Sequence, residues 1–231
     1  MLKRNLAADL KYFIILLTLA TFFLIPIANV GATSSSRWHA GYAYYGHSSG
    51  GFPPRGIMAD IYCVSPSVPF GHGMFEWVSV ITSYSPAYWV QVGYKKQYTW
   101  CFIFPCVLWS FYAERMDSTG FAQYPYGFPL SHHTYNFRIY LYTSGNYKWY
   151  IKEGSTHLYS GNLIMHCYTP IDLQACAETT TPSISIWTSH FSNIQYYDGR
   201  IWYSWRRHIM IADYPYVVQE ISHYEFYAWR G

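Results

Sequence analysis

The chain has 231 residues, with 15 Lys and Arg against 12 Asp and Glu, and only 12% of it is charged while 22% is aromatic. The near-neutral balance excludes a nucleic-acid surface: neutralising phosphates needs clustered basic side chains, and here Lys95 with Lys96 and Arg206 with Arg207 are isolated pairs typical of solvated strand ends. A surface built largely from the hydroxyls and amides left by 26 Tyr and few charges keeps its hydration when carboxylates protonate, which suits an acidic exterior.

The first segment reads as an export signal. Lys3, Arg4 and Lys11 precede an uncharged run over residues 12–32, and Val30, Gly31 and Ala32 are small enough for signal-peptidase cleavage after Ala32. Left uncleaved, the run is long enough to anchor the chain as a membrane helix, with the rest still outside. Removal of residues 1–32 leaves 199 residues, enough for one domain with a sizeable core, carrying 12 Lys and Arg against 11 Asp and Glu. Residues 33–56, rich in Ser, Gly and Tyr, read as an extended lead-in. They contain a formal G-x-S-x-G at residues 46–50, but a nucleophile elbow needs a strand before it and a helix after it, and neither is legible here.

From residue 57 the pattern is strand after strand. Residues 58–64, 74–82, 88–94 and 107–115 are short apolar or alternating runs separated by Pro, Gly and Ser. Residues 135–142 alternate Tyr135, Phe137, Ile139 and Leu141 against polar partners, and the turn at 143–146 leads back into 147–151 as a hairpin. A second hairpin is expected over 191–197 and 200–205, with Asp198 and Gly199 supplying a type I′ turn. Residues 217–229 supply one or two more strands. No stretch after the signal keeps a 3.6-residue apolar period for three turns. The expectation is therefore an all-β domain over 57–231, a two-sheet antiparallel β-sandwich of jelly-roll or concanavalin-like type behind an N-terminal signal or anchor helix.

Five cysteines in an exported chain predict two disulfides and one thiol. The local pairs are Cys101 with Cys106 and Cys167 with Cys176, leaving Cys63 free and buried. None has zinc-ligand spacing. His132 and His133 lie in a loop without an H-E-x-x-H motif, so neither metal nor cofactor is expected.

Two short motifs carry the chemistry. In the strand around Gln91, alternation sends Tyr88, Val90, Val92 and Tyr94 to one face and Trp89, Gln91 and Gly93 to the other. Gln91 thus shares a cleft face with an indole and with a glycine that leaves room for a ligand. Downstream, Cys176, Ala177, Glu178 and Thr179 place a carboxylate after a small residue in a run otherwise free of charge. Glu114 alternates onto the face of Tyr112, either as a second cleft carboxylate or as a partner of Arg115 or of a neighbouring strand.

With both motifs in hand, the chain resembles the β-sandwich glutamic peptidases. In the eqolisins a Gln within Q-x-G pairs with a Glu within A-E-W shortly after a cysteine, and Gln91, Val92, Gly93 and Cys176, Ala177, Glu178 stand in that order here. The neprosin-like peptidases are similar as well, with Glu at the position of Gln91 and a later Gly-Glu at that of Glu178. The run Ala59 to Val64, followed by Pro66, resembles the start of their domain. Two departures stand out: Thr179 replaces the eqolisin Trp, and residues 98–108 insert a Cys-bounded loop. The resemblance implies a secreted, monomeric, acid-active endopeptidase acting on polypeptides without a metal or cofactor. Gln91 and Glu178 would be the catalytic dyad, and Trp89, Gly93 and Glu114 would line the cleft. A carbohydrate- or partner-binding β-sandwich, and an assembly subunit with an aromatic interface, are the alternatives from other functional classes.

Overall fold

A computed structural model describes residues 37–44, 54–166, 169–186 and 188–231, and the expected signal or anchor segment and the 46–50 motif lie outside them. The described residues form fifteen strands: β1 (Trp38–Tyr44), β2 (Gly56–Tyr62), β3 (Gly73–Tyr84), β4 (Ala87–Cys101), β5 (Phe104–Asp117), β6 (Gly120–Tyr126), β7 (Thr134–Thr143), β8 (Asn146–Glu153), β9 (Thr156–Ile164), β10 (Asp172–Thr179), β11 (Ser189–Tyr197), β12 (Trp202–Ser204), β13 (Ile209–Ala212), β14 (Tyr216–Ser222) and β15 (Glu225–Arg230). Every pairing is antiparallel, and there is no helix among the described residues.

The strands make two sheets. One runs β13-β1-β10-β3-β4-β5-β6; the other runs β14-β15-β11-β2-β7-β8-β9, with β12 paired to β11. Period-two patterning explains how they face each other. Tyr135, Phe137 and Ile139 of β7 and Tyr147, Trp149 and Ile151 of β8 point inward, meeting Val78 and Val80 of β3 and Val90, Val92 and Tyr94 of β4 in one continuous core. Packing two such faces removes the large apolar and aromatic side chains from water, which drives the assembly. The central strands β3 and β4 are buried on both faces through their middles, the outer face by its own packed side chains, among them Phe75, Trp77 and Tyr112.

A carboxyl group stands inside the core. Glu76 is fully buried, accepts a hydrogen bond from the Ser189 hydroxyl, and lies opposite Tyr94 in the ladder. Burial pushes its carboxyl up to about 8, with the Ser189 and Tyr94 hydroxyls opposing.

Several sequence expectations change. The lead-in of 33–56 contains β1, a strand inside the first sheet, because Ala40, Gly41 and Tyr42 of its small and aromatic run pack against β10. The Cys-bounded loop is no loop: β4 and β5 continue through it as a ribbon to the turn at Phe102 and Ile103, and Cys101 is bridged to Cys106 across it. The bridge expected between Cys167 and Cys176 is not formed, since Cys176 is a free thiol buried within β10 and facing Gly41 and Trp77 in the ladder, with Cys167 itself outside the described residues. Cys63 is also free and buried. The turn between β11 and β12 has four residues, 198–201, instead of two. Only Gly199 takes positive φ, and the Asp198 carboxylate caps the turn by accepting from the N–H groups of Arg200 at 2.7 Å and Ile201 at 2.9 Å.

Candidate active site

The outer face of the seven-stranded sheet is organised by register. Directly opposed residues of antiparallel strands share a face, so three rows run across it. The first is His39, Glu178, Phe75, Lys95, Ser110; the second Gly41, Cys176, Trp77, Gly93, Tyr112; the third Ala43, Gln174, Ser79, Gln91, Glu114. Phe75, Trp77, Tyr112 and Cys176 form a small apolar cluster separate from the main core. It is the floor on which the polar groups stand.

Glu178, the penultimate residue of β10, is 3% exposed. Its carboxylate forms an ion pair with Arg37 and accepts a hydrogen bond from the Trp77 indole N–H at 3.2 Å. His39 Nε2 lies 3.7 Å away. The other imidazole nitrogen, Nδ1, is 3.0 Å from Asp213 Oδ2, which also accepts from the His39 backbone N–H at 2.8 Å. With Nδ1–H given to Asp213, Nε2 carries a proton toward Glu178 only in the imidazolium form.

Gln91 is 5% exposed and donates from Nε2 to the Tyr112 hydroxyl at 3.0 Å, while its neighbours Val90 and Val92 point into the inter-sheet core. Across the ladder stands Glu114. This carboxyl does not pair with Arg115, which turns to the other face and binds Asp117 at 2.6 Å. Glu114 instead accepts from the Gln123 amide, whose oxygen takes a hydrogen bond from Lys95. Burial raises the Glu114 carboxyl to about 7, the Gln123 hydrogen bond resists that, the Glu178 charge adds to it, and Arg37 and Lys95 oppose it. Burial also pulls the Lys95 ammonium down, against the pull of Glu114. The Tyr112 phenol is held well above its ordinary value, first by burial and then by Glu114 and Glu178. Burial works against the Arg37 charge, but Glu178 and Glu114 outweigh it and the guanidinium ends above its usual value. These groups therefore form one electrostatic unit, in which a proton gained by one alters the others.

Gln91 and Glu178 share this face but are not ladder neighbours. They lie two strands apart and are offset by the four residues from Phe75 to Ser79 on β3, roughly 13 Å of strand. A substrate reaching both would lie over Trp77 and Tyr112. Gly93 has a different role from the one its motif suggests: a Cβ there would strike the Glu76 carbonyl oxygen and sit 2.8 Å from Trp77 Cα and Cβ, so the space is filled by the neighbouring strand. Trp89 lies one row beyond Gln91, opposite Ile81 and Met116, with its indole N–H buried and without a hydrogen-bond partner. Sequence reasoning missed Arg37, His39, Trp77, Lys95 and Asp213. Trp77 alone had a local signal, its place in an alternating strand, whereas the others are brought in by sheet order.

No protein-family model matches the sequence, and no curated protein matches it as a relative. Solved structures do match. Scytalido-glutamic peptidase bound to a peptide-based transition-state analog superposes with a TM-score of 0.60 at 10% identity, over 85% of this chain and 99% of that one. A second structure of that enzyme, with a transition-state analog inhibitor, gives 0.60 at 9% identity over 85% and 98%. SCP-B, a member of the eqolisin family in complex with the tripeptide Ala-Ile-His, gives 0.54 at 10% identity over 85% and 99%. The chain therefore has the β-sandwich fold of the glutamic peptidases.

Proposed function

We propose that the protein is an exported, acid-active endopeptidase of glutamic type, and the observation that carries this reading is the burial of Gln91, Glu114 and Glu178 on one face of a glutamic-peptidase sandwich. Burial of carboxylates beside an amide and a guanidinium costs solvation, and such arrangements concentrate where acid–base chemistry is done. The substrate is a polypeptide laid across Trp77 and Tyr112, in keeping with the peptide ligands of the structural neighbours.

In this reading Glu178 is the general base. It takes a proton from the attacking water as the new C–O bond forms, then returns it to the amine nitrogen as the C–N bond breaks. Gln91 is assigned the oxyanion, its amide fixed by the Tyr112 hydroxyl, an assignment that requires the Gln91 and Glu178 side chains to converge on one carbonyl across the backbone offset between their strands. Arg37 and the Trp77 N–H hold the Glu178 carboxylate in place. The carbohydrate- or partner-binding alternative calls for exposed rings and no buried carboxylates, and the face around Gln91 has the opposite character.

The test is hydrolysis of a denatured protein between about pH 2 and 6, bracketing ordinary carboxylate values. Glu178→Gln keeps size and hydrogen bonding but removes the base, so cleavage should vanish while the circular dichroism stays native. Gln91→Ala should retain more activity, losing roughly 100-fold or more as expected for one oxyanion donor. Wild-type protein without cleavage in this range, or equal cleavage by Glu178→Gln, would overturn the assignment.

A further inference from the structure

The side of the sandwich where β13 edges one sheet and β14 edges the other holds a group of donors that the peptidase reading leaves unused. His208 immediately precedes β13, Glu220 lies in β14, and His223 sits in the turn between β14 and β15. One donor atom from each lies within 4.8 Å of the others, the only such three-residue set of His, Cys, Asp or Glu among the described residues. From this geometry we propose that His208, Glu220 and His223 form a zinc site that clips the edge of one sheet to the edge of the other.

The spacing favours a metal over hydrogen bonding. His208 Nε2 is 3.5 Å from Glu220 Oε2, and His223 Nδ1 is 3.3 Å from Glu220 Oε1. Both are loose for an N–H···O bond, whose usual range ends near 3.2 Å. The two contacts go to different carboxylate oxygens, and metal–ligand bonds of about 2.0–2.1 Å would draw together three donors that already lie within 4.8 Å of one another. Two imidazoles and one carboxylate are a donor set that suits zinc, with water as the fourth ligand.

The His208 ring is also built in. Its side chain is only 7% exposed and stacks on Tyr42 with ring centroids 3.9 Å apart. The Tyr42 hydroxyl donates in turn to the carbonyls of Ser222 and Glu225 at 3.3 Å, flanking His223. The orientation of the imidazole is thus set by the same chain segment that supplies the other two ligands. Yet Nδ1 is buried with no hydrogen-bond partner, and Nε2 has only the loose contact with Glu220. Coordination would take place through Nε2, the nitrogen that faces Glu220, and would give that atom a partner better than its loose contact.

The site is remote from Glu178 in the ladder and independent of the peptidase reading. The full chain, stripped of metal by chelation, should bind one zinc ion per molecule when titrated calorimetrically with zinc chloride at neutral pH. Thermal unfolding should shift upward on zinc addition, since the metal binds only where both sheet edges are in place. Glu220→Gln and His223→Ala alter exposed residues and should keep the native circular dichroism. Each should weaken zinc affinity at least tenfold, and the double variant should lose the thermal response. Wild-type protein that binds no zinc at about 1 mM, a concentration matching only about 4 kcal/mol of affinity, would overturn the site. Stoichiometric binding that survives in the double variant would do the same.

Discussion

Gly93 shows how a single residue can be right in a motif and wrong in its explanation. Its hydrogen is what lets Trp77 approach, and Trp77 in turn donates to Glu178, so the glycine acts on the carboxylate through an indole. Gly93→Ala should therefore force β3 and β4 apart locally, costing about 1–3 kcal/mol as overpacking of a tight interior does. Denaturant unfolding would measure this, and a variant as stable as wild type would show that the ladder relaxes freely. If the indole is displaced, Trp77 fluorescence should shift in the native state as well. Glu114 is a second case at this scale: its motif neighbour Arg115 belongs to the other face, and its electrostatics come from β6 and β10.

At the scale of elements, β1 and the β4–β5 ribbon are opposite cases. β1 is short and ordinary in composition, yet it places Arg37 and His39 against Glu178. The ribbon is chemically conspicuous. β4 pairs with β3 as far as Gly73 and Gln97, Tyr98 is still hydrogen-bonded to Gly71 and His72, and β6 pairs with β5 only over residues 111–117, so beyond Tyr98 and Trp109, which pack on the core, residues 99–108 run as two strands paired with each other. Phe102 and Ile103 at its tip are 74% and 75% exposed. An isolated two-stranded ribbon is marginal in water, and the Cys101–Cys106 bridge holds its end together. Replacing both cysteines with Ser should leave the global unfolding midpoint nearly unchanged, because the core does not include the tip. It should speed proteolysis at the tip several-fold, measured as nicking near Phe102. Loss of global stability comparable to a core disulfide, typically 2–4 kcal/mol, would show that the ribbon is cooperative with the sandwich.

The whole molecule carries a pH signature set by where its carboxyls lie. Glu76 in the core and Glu114 on the outer face have folded values near 8 and near 7, both raised from an ordinary 4.5 by burial. An acid raised on folding binds more protons in the native state, so its contribution is fully present below about 4.5 and is lost as pH rises through the folded value. Asp117 runs the other way: burial alone would raise it, but hydrogen bonds from Thr119 and His166 outweigh that and lower it, so its contribution falls away below 3.8. Stability should therefore be greatest near pH 4–4.5 and decline toward pH 8. The unfolding temperature across this range would measure the decline. Glu76→Gln should flatten the upper part of the profile, whereas an unchanged slope would mean that the core carboxyl is not its source. Such a curve fits work in an acidic exterior.

The sequence by itself determined the all-β class, most of the strands, the inward Val90 and Val92, and the Cys101–Cys106 pair, because alternation, turn residues and short-range spacing are local properties. It also singled out Gln91 and Glu178, through family-like motifs only a few residues long. Tertiary structure alone decided that Cys176 stays a thiol, that β1 joins the sheet, and that Arg37, His39 and Asp213 gather at Glu178. It likewise decided that His208 meets Glu220 and His223. The physical reason is that an antiparallel sheet joins residues by strand order and register: His39 opposes Glu178, 139 positions later in the chain, and nothing local in either segment encodes that pairing.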